Sequence, residues 1–253
     1  MQLQLATWQE VEGYLKSSTA IMIPIGSTEQ HGPNGFIGTD ALCPEVLAKA
    51  VGEETGALVA PTLSIGMAQH HLGFSGSITL RPTTLIAVVQ DVVNSLAQHG
   101  FDRFYFLNGH GGNIATLSAA FSEIYAESSL GKADSNRPPL VCQLRNWWDG
   151  GGIKRLSAEL FGDKEGSHAT CSEISLTYYA YPDHVKQAEM TPGKAPVGPI
   201  YDSSDYRRRF PDGRIGSDPT HASVEAGERI FKTAVEEIAG DWRRFAANGA
   251  PDA

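Results

Sequence analysis

The chain has 253 residues, 41% of them hydrophobic and 19% charged, which is typical of a globular protein long enough to bury a sizeable core. Its formal net charge of −9 argues against a nucleic-acid-binding surface, which would carry a basic patch. No apolar stretch reaches the ~18 residues of a membrane span, and the three cysteines form no Cys-x-x-Cys pair, so we expect a cytoplasmic protein with no membrane partner.

A loop at residues 26–40 follows the first predicted strand and concentrates metal-ligand residue types. The apolar run 21–25 has the character of a buried strand, and Glu29 and His31 leave its carboxyl end, where ligand sites of open α/β sheets form. Asp40 stands at the predicted start of a helix, where an Asp also serves as an N-cap. The clustering of carboxylates and an imidazole favours a metal site.

Strands and helices alternate along the rest of the chain. The predicted strands are 57–60, 77–80, 101–107 and 139–144; the predicted helices are 40–54, 114–127, 167–181 and 222–245, with one more from Pro82 that Gly100 ends. Residues 145–152 are expected to be mobile, and residues 191–220 to form an extended excursion. With no repeat and no linker, the pattern predicts one domain over residues 1–253, a three-layer α/β/α fold with a mainly parallel sheet.

The segment Asn108-Gly109-His110-Gly111-Gly112-Asn113 directly follows a predicted strand. Glycine-rich turns before a helix can bind phosphate, but this spacing is neither Gly-x-Gly-x-x-Gly nor the Walker pattern. A non-catalytic phosphate- or nucleotide-binding module therefore stays an alternative. A glycine on each side of His110 frees space around its imidazole, and beside the acidic loop at 26–40 the metal-ligand interpretation is favoured.

Three motifs occur together in this order: Gly26-Ser27-Thr28-Glu29-Gln30-His31-Gly32-Pro33 with Thr39-Asp40, His99-Gly100-Phe101-Asp102 before the 108–113 loop, and His168-Ala169 with Glu173 and Ser175. This combination resembles the creatininase family of metal-dependent amidohydrolases. The resemblance implies a binuclear metal site in a single α/β domain, and a homo-oligomer that is typically a hexamer.

By that resemblance, Glu29 and His110 bind one divalent ion, His31 binds the other, and Asp40 bridges the two. Zinc, manganese or iron suits such mixed nitrogen and oxygen ligands. Creatininases proper supply a further glutamate at the position that is Gly112 here. Either the second ion is held loosely or is absent, or another carboxylate replaces the missing ligand, and Glu173 is the candidate.

The expected catalytic residues are His168 and Glu173. His168 suits proton delivery to a leaving nitrogen because the unperturbed pKa of histidine is about 6.5. Glu173 is a candidate base as well as a ligand. The residues expected to contact the substrate are His70, Ser77, Gly111, Trp147 and Trp148, and His71 is expected to line the pocket entrance with His70 and Ser77.

The predicted activity is hydrolysis of a cyclic or formyl amide C–N bond in a small molecule. Gly112, Asn34 and the Ala169-Thr170 pair depart from the family pattern and argue against creatinine itself. The motifs do not separate creatininase activity from deformylation or from peptide trimming in cofactor biosynthesis, so these alternatives stay open.

Overall fold

The structure, a computed structural model, describes residues 1–131 and 138–247. Within these residues four parallel strands form one sheet in the order β2-β1-β3-β4. The strands are β1 Ala20–Ile25, β2 Leu58–Val59, β3 Arg103–Asn108 and β4 Val141–Asn146. β1 pairs with β3 along its whole length, and Ile25 lies opposite Asn108. The loops after these two strands therefore leave from the same edge of the sheet.

Eight α-helices accompany the sheet in the described part of the chain. They are α1 Trp8–Leu15, α2 Thr39–Thr55, α3 Pro82–Ala97, α4 Asn113–Ser129, α5 Gly151–Phe161, α6 Cys171–Ala180, α7 Ser203–Arg209 and α8 Val224–Ala247. Among the described residues, no helix is both long enough and apolar enough to cross a membrane.

Both faces of the central strands are buried, which explains their continuous apolar sequences. Met22 of β1 and Tyr105 of β3 pack with α2, α6 and α8 on one face. Ile23 and Phe106 pack with α3 and α4 on the other face. The prediction of a three-layer α/β/α fold with a mainly parallel sheet is therefore confirmed.

Two predicted elements are wrong in part. Residues 77–80 form no strand: Ile78 makes one isolated antiparallel bridge to Thr28, and the Thr79 hydroxyl accepts from the main chain of the same loop. The helix predicted over 167–181 begins only at Cys171. It cannot begin earlier because Ala169 adopts a φ of 52°, which is left-handed backbone.

Residues 145–152, predicted to be a mobile segment, end β4 and lead into α5 through a 3-10 turn at Trp147–Asp149. The first turn of α5 is capped from another helix: Glu237 of α8 accepts from the N–H groups of Gly152 (2.6 Å) and Ile153 (3.4 Å). Gly150 packs so closely that a Cβ there would overlap the Glu237 carboxylate. A cap supplied by tertiary contact leaves no local signal for a helix start.

Glu237→Ala is expected to lower the free energy of unfolding by about 1–2 kcal/mol, because it removes the acceptor for two N–H groups of α5. Urea unfolding measures the change. Glu236→Ala, an exposed neighbour on α8, is the control and should change stability little. Equal losses in the two variants would contradict the capping role.

Candidate metal centre

Asp40 lies at the centre of a buried cluster of carboxylates and imidazoles at the carboxyl edge of the sheet. It sits in the first turn of α2, whose N-cap is Gly38, so its side chain is not used as the N-cap. Its Oδ1 lies 3.0 Å from Nε2 of His31, and its Oδ2 lies 2.7 Å from Nδ1 of His110. The two oxygens of one carboxylate therefore face two different histidines.

Close backbone contacts bring these residues together. A Cβ at either Gly26, after β1, or Gly109, after β3, would overlap the main-chain carbonyl of Asp40. The Asn113 amide ties the two loops by donating to the carbonyl of Gly26 (2.9 Å). The glycines of both sequence motifs therefore allow the start of α2 to approach both strand ends.

The first group of ligand atoms comes from Glu29, Asp40 and His110, all within 4.8 Å of one another. Nε2 of His110 donates to the carbonyl of Met67 (2.9 Å). That hydrogen bond fixes the proton on Nε2 and leaves Nδ1 as the nitrogen available to a metal, a pattern common among metal-binding histidines. The Ser27 hydroxyl donates to Oε2 of Glu29 (2.7 Å) and orients that carboxylate.

The second group comes from His31, Asp40 and Glu173, again within 4.8 Å. Nδ1 of His31 donates to the carbonyl of Glu29 (3.0 Å), so Nε2 is the nitrogen that faces the site. Glu173 places Oε1 at 3.9 Å from that nitrogen while accepting from the N–H of Thr170 in a capping box. Glu173 is thus both an N-terminal capping residue of α6 and a neighbour of His31.

Gly112 leaves no room for the glutamate of creatininases proper. A Cβ at this position would overlap the imidazole of His110. Among the described residues, the carboxylate grouped with His31 and Asp40 is that of Glu173, in the first turn of α6.

Two buried oxygens of this cluster, Oε1 of Glu29 and Oδ2 of Asp40, make no well-aligned hydrogen bond among the described residues, although a histidine ring nitrogen lies near each: Nε2 of His71 at 2.9 Å and Nδ1 of His110 at 2.7 Å. An unpaired buried carboxylate oxygen costs free energy, and a cation removes that cost. Together with the mixed nitrogen and oxygen donors, these oxygens fit a divalent metal ion.

Opposite charges shift the pKa values in the cluster. Burial acts to lower the pKa of His31, but the charge of Asp40 outweighs this effect and raises the pKa to about 10. Burial also acts to lower the pKa of His110, but the charges of Glu29 and Asp40 raise it to about 9. Burial acts to raise the pKa of Asp40, but the two histidines hold it well below its usual range. Burial raises the pKa of Glu29 to about 8 and that of Glu173 to about 7. A divalent ion supplies the positive charge that protons otherwise supply here, so metal binding releases protons.

His168 lies beside the cluster, in the strand-like segment before α6. Its main chain pairs with Ile215, and its Nε2 donates to the carbonyl of Gln30 (2.9 Å). Nδ1 is then the free nitrogen, 3.8 Å from Oε1 of Glu29. Burial, and next the charge of His31, hold the pKa of His168 well below its usual range. His168 is thus a neutral imidazole that presents a lone pair to the site.

A cavity of about 770 Å³ opens onto these groups. His70, Gly111, Trp147 and Trp148 line it, as do His168 and Glu173. Ser77 does not line it: its hydroxyl accepts from the N–H of Gln30 (3.1 Å). The substrate contacts of all five expected residues stay predictions.

Sequence reasoning missed three side chains at the site. Gln30 lies between the predicted ligands Glu29 and His31, and this position in the sequence could have indicated that it is at the site. Glu165 lines the cavity, and Tyr206 of α7 packs on the imidazole of His71. Nothing local in the sequence marks Tyr206, because the 191–220 excursion brings it to the site.

Glu165 gives a pH-dependent prediction. Its carboxylate accepts from the N–H and the hydroxyl of Ser172, yet burial raises its pKa. Since the folded chain binds this proton more tightly than the unfolded chain does, the contribution of Glu165 to stability falls as pH rises above about 4.3. Glu165→Gln is expected to raise the melting temperature more at pH 7 than at pH 4, as calorimetry would show. The same gain at both pH values would contradict this.

Several N–H groups in and directly after the 108–113 loop are not available to a phosphate. The N–H of His110 donates to Asn108, that of Asn113 to the carbonyl of His110, and that of Ile114 to the carbonyl of Gly111. These donors are used inside the loop, which argues against the phosphate-binding alternative.

Known proteins are similar to this chain in sequence over nearly its full length. Residues 4–240 match the creatininase family model, described as creatinine amidohydrolase. The chain is 31% identical over 241 residues to creatinine amidohydrolase of Pseudomonas putida, covering 92% of each. It is 29% identical over 235 residues to mycofactocin precursor peptide peptidase of Mycolicibacterium smegmatis, covering 89% of this chain and 85% of that protein.

Solved creatininase structures share the fold. A manganese creatininase superposes with a TM-score of 0.81 at 27% identity, covering 96% of this chain and 97% of that one. A mutant creatininase of the Zn–Zn type gives a TM-score of 0.80 at 27% identity, with the same coverage.

Proposed function

The chain belongs to the creatininase family of metal-dependent amidohydrolases, and from this premise we propose that it hydrolyses a cyclic or formyl amide at a centre of two divalent ions. One observation carries the proposal: each oxygen of the Asp40 carboxylate faces a separate set of ligand atoms. A carboxylate placed in this way can bridge two ions.

In this proposal Glu29 and His110 would hold one ion, His31 and Glu173 would hold the other, and Asp40 would contribute to both sites. The manganese and zinc forms of related structures support either metal, and iron suits the same donors. Divalent ions activate water as a nucleophile and polarise an amide carbonyl when they are bound.

The remaining steps use side chains beside the ligands. His168 carries its proton on Nε2 and presents Nδ1 to the cavity, so it can accept a proton from water and deliver it to the leaving nitrogen. Trp147 and Trp148 supply aromatic walls against which a planar amide would pack.

The cavity bears on the substrate class. Its volume of about 770 Å³ is in the range of sites for drug-sized ligands and exceeds the needs of a single small ring. We therefore propose that the substrate is a cyclic or formylated amide larger than creatinine. The same volume favours a second candidate, trimming of a peptide end, the kind of substrate named for the mycobacterial relative.

A hydrolysis screen tests the proposal. Protein loaded with zinc or manganese is assayed on cyclic amides, formylated amines and short peptides, with Asp40→Asn as the matched inactive control. We expect turnover of a cyclic or formyl amide by the wild-type chain only. Turnover of peptides alone would select the second candidate, and no metal-dependent turnover of any class would contradict both.

Assembly and location complete the proposal. We propose a homo-oligomer, as large as a hexamer, in the cytoplasm. The exposed apolar side chains of Leu5, Trp8, Val197 and Tyr201 are available for contacts between subunits. The three free cysteines, without a disulfide, suit a reducing compartment. Light scattering on the purified protein measures the assembly, and a monomer would contradict it.

A further inference from the structure

Four histidines surround the Glu29 carboxylate, and one of them differs in how its proton is placed. His31, His110 and His168 each donate one ring N–H to a main-chain carbonyl. His71 instead has its Nδ1 2.9 Å from the side-chain Nε2 of Gln30. Its other nitrogen, Nε2, lies 2.9 Å from Oε1 of Glu29.

The orientation of the Gln30 amide is determined by two main-chain groups. Its Oε1 accepts from the N–H of Gly32 (2.8 Å), and its Nε2 donates to the carbonyl of Gly213 (2.8 Å). A flipped amide would set oxygen against the Gly213 carbonyl and N–H against the N–H of Gly32. Both contacts would be repulsive, so Nε2 is the atom that faces His71.

The two hydrogens of the Gln30 Nε2 then have defined acceptors. His168 lies equally near, with its Nε2 2.9 Å from that nitrogen; because this ring nitrogen donates to the carbonyl of residue 30, its contact with the Gln30 amide sets donor against donor and accepts neither hydrogen. The hydrogens therefore go to the carbonyl of Gly213 and to Nδ1 of His71. An Nδ1 that accepts places the proton of neutral His71 on Nε2, towards Glu29.

The 191–220 excursion builds part of this arrangement. Gly213 has a φ of 88°, and a Cβ there would overlap the Gln30 amide. The hydroxyl of Tyr206 donates to the same Gly213 carbonyl (2.8 Å), and Arg214 binds Asp212 through Nη2 (2.7 Å). The Tyr206 hydroxyl thus holds the carbonyl that orients Gln30, and an ion pair joins the two residues on either side of Gly213.

We propose that Gln30 is a positioning residue that keeps His71 out of the metal ligand set. With its proton on Nε2, His71 offers Glu29 an N–H edge and has no lone pair for an ion at that nitrogen. His168 donates from its Nε2 to the main-chain carbonyl of Gln30, so its Nδ1 presents a lone pair instead. The inference rests on the proposed function for its consequence, but the protonation pattern can be measured without any substrate.

The test is solid-state NMR of zinc-loaded protein labelled with ¹⁵N-histidine, which reports protonation of each ring nitrogen whatever the size of the assembly. Signals of His71 and His168 are assigned by their loss in His71→Gln and His168→Gln. In the wild-type chain we expect Nδ1 of both to be unprotonated. In Gln30→Glu, whose carboxylate cannot donate, Nδ1 of His71 is expected to shift to the protonated position while that of His168 stays unchanged.

Two further variants make the result decisive. Gln9→Glu adds the same charge at an exposed position in α1 and should leave both signals unchanged. Gln30→Met, similar in length and without a donor, replaces Gln30→Glu if that variant does not fold, and should give His71 a mixture of tautomers. A protonated Nδ1 on His71 in the wild-type chain, or an unprotonated one in Gln30→Glu, would overturn the inference whether or not a substrate is known.

Discussion

Glu173→Gln is expected to bind one divalent ion per subunit where the wild-type chain binds two, and Asp40→Asn is expected to bind fewer ions than Glu173→Gln. The reason lies in the two groups of ligand atoms. Glu173 belongs only to the group with His31, whereas Asp40 belongs to that group and to the group with Glu29 and His110. Removing one carboxylate charge from Asp40 therefore weakens both sites.

The substitutions keep the fold while changing the charge. Glutamine at residue 173 can still accept from the N–H of Thr170, so the capping box of α6 is retained. Glu165→Gln is the matched control, because this carboxylate lines the same cavity and lies outside both groups. Elemental analysis after zinc loading and dialysis gives the metal content of each variant.

Activity should follow the metal content. Bound ions stabilise the transition state by several kcal/mol, so the loss of an ion should lower the rate roughly 10³-fold. We expect a loss of that order for Asp40→Asn. Equal metal content in Asp40→Asn and Glu173→Gln would contradict the bridging role of Asp40, and two ions in Glu173→Gln would contradict the replacement of the glutamate missing at Gly112.

The grouping of Glu29, His31, Asp40 and His110 could be predicted because it follows from local sequence and one rule of topology. Two buried apolar runs predict parallel strands, and the loops after adjacent parallel strands meet at one edge. The glycines that permit close approach, such as Gly109, lie within the same motifs. Short-range patterns therefore contain most of the information for this half of the site.

The other half depends on contacts between distant parts of the chain. Gly213 and Tyr206 reach the site through an excursion with little regular structure, so no periodicity marks them. The left-handed backbone of Ala169, which separates His168 from α6, depends on the pairing of His168 with Ile215. Such features arise from tertiary packing, which cannot be predicted from local sequence patterns.

His168→Gln is expected to lower kcat by about 10²- to 10⁴-fold while leaving the metal content unchanged, since general acid–base catalysis contributes an effect of that size. The imidazole is fixed for this role: Nε2 donates to the carbonyl of Gln30, and Nδ1 faces the cavity. His184→Gln is the control, because His184 is exposed, does not line the cavity and belongs to none of the groups of ligand atoms.

The leaving group provides a sharper test of what His168 does. A strongly basic leaving amine needs a proton as the C–N bond breaks, whereas a weakly basic one departs without it, so the loss in His168→Gln should shrink along a series of formyl anilides with increasingly acidic anilines. His168 also lies in a third group of ligand atoms, with Glu29 and His31. If His168→Gln loses an ion and the loss of activity is the same along the whole series, His168 is a metal ligand rather than the proton donor.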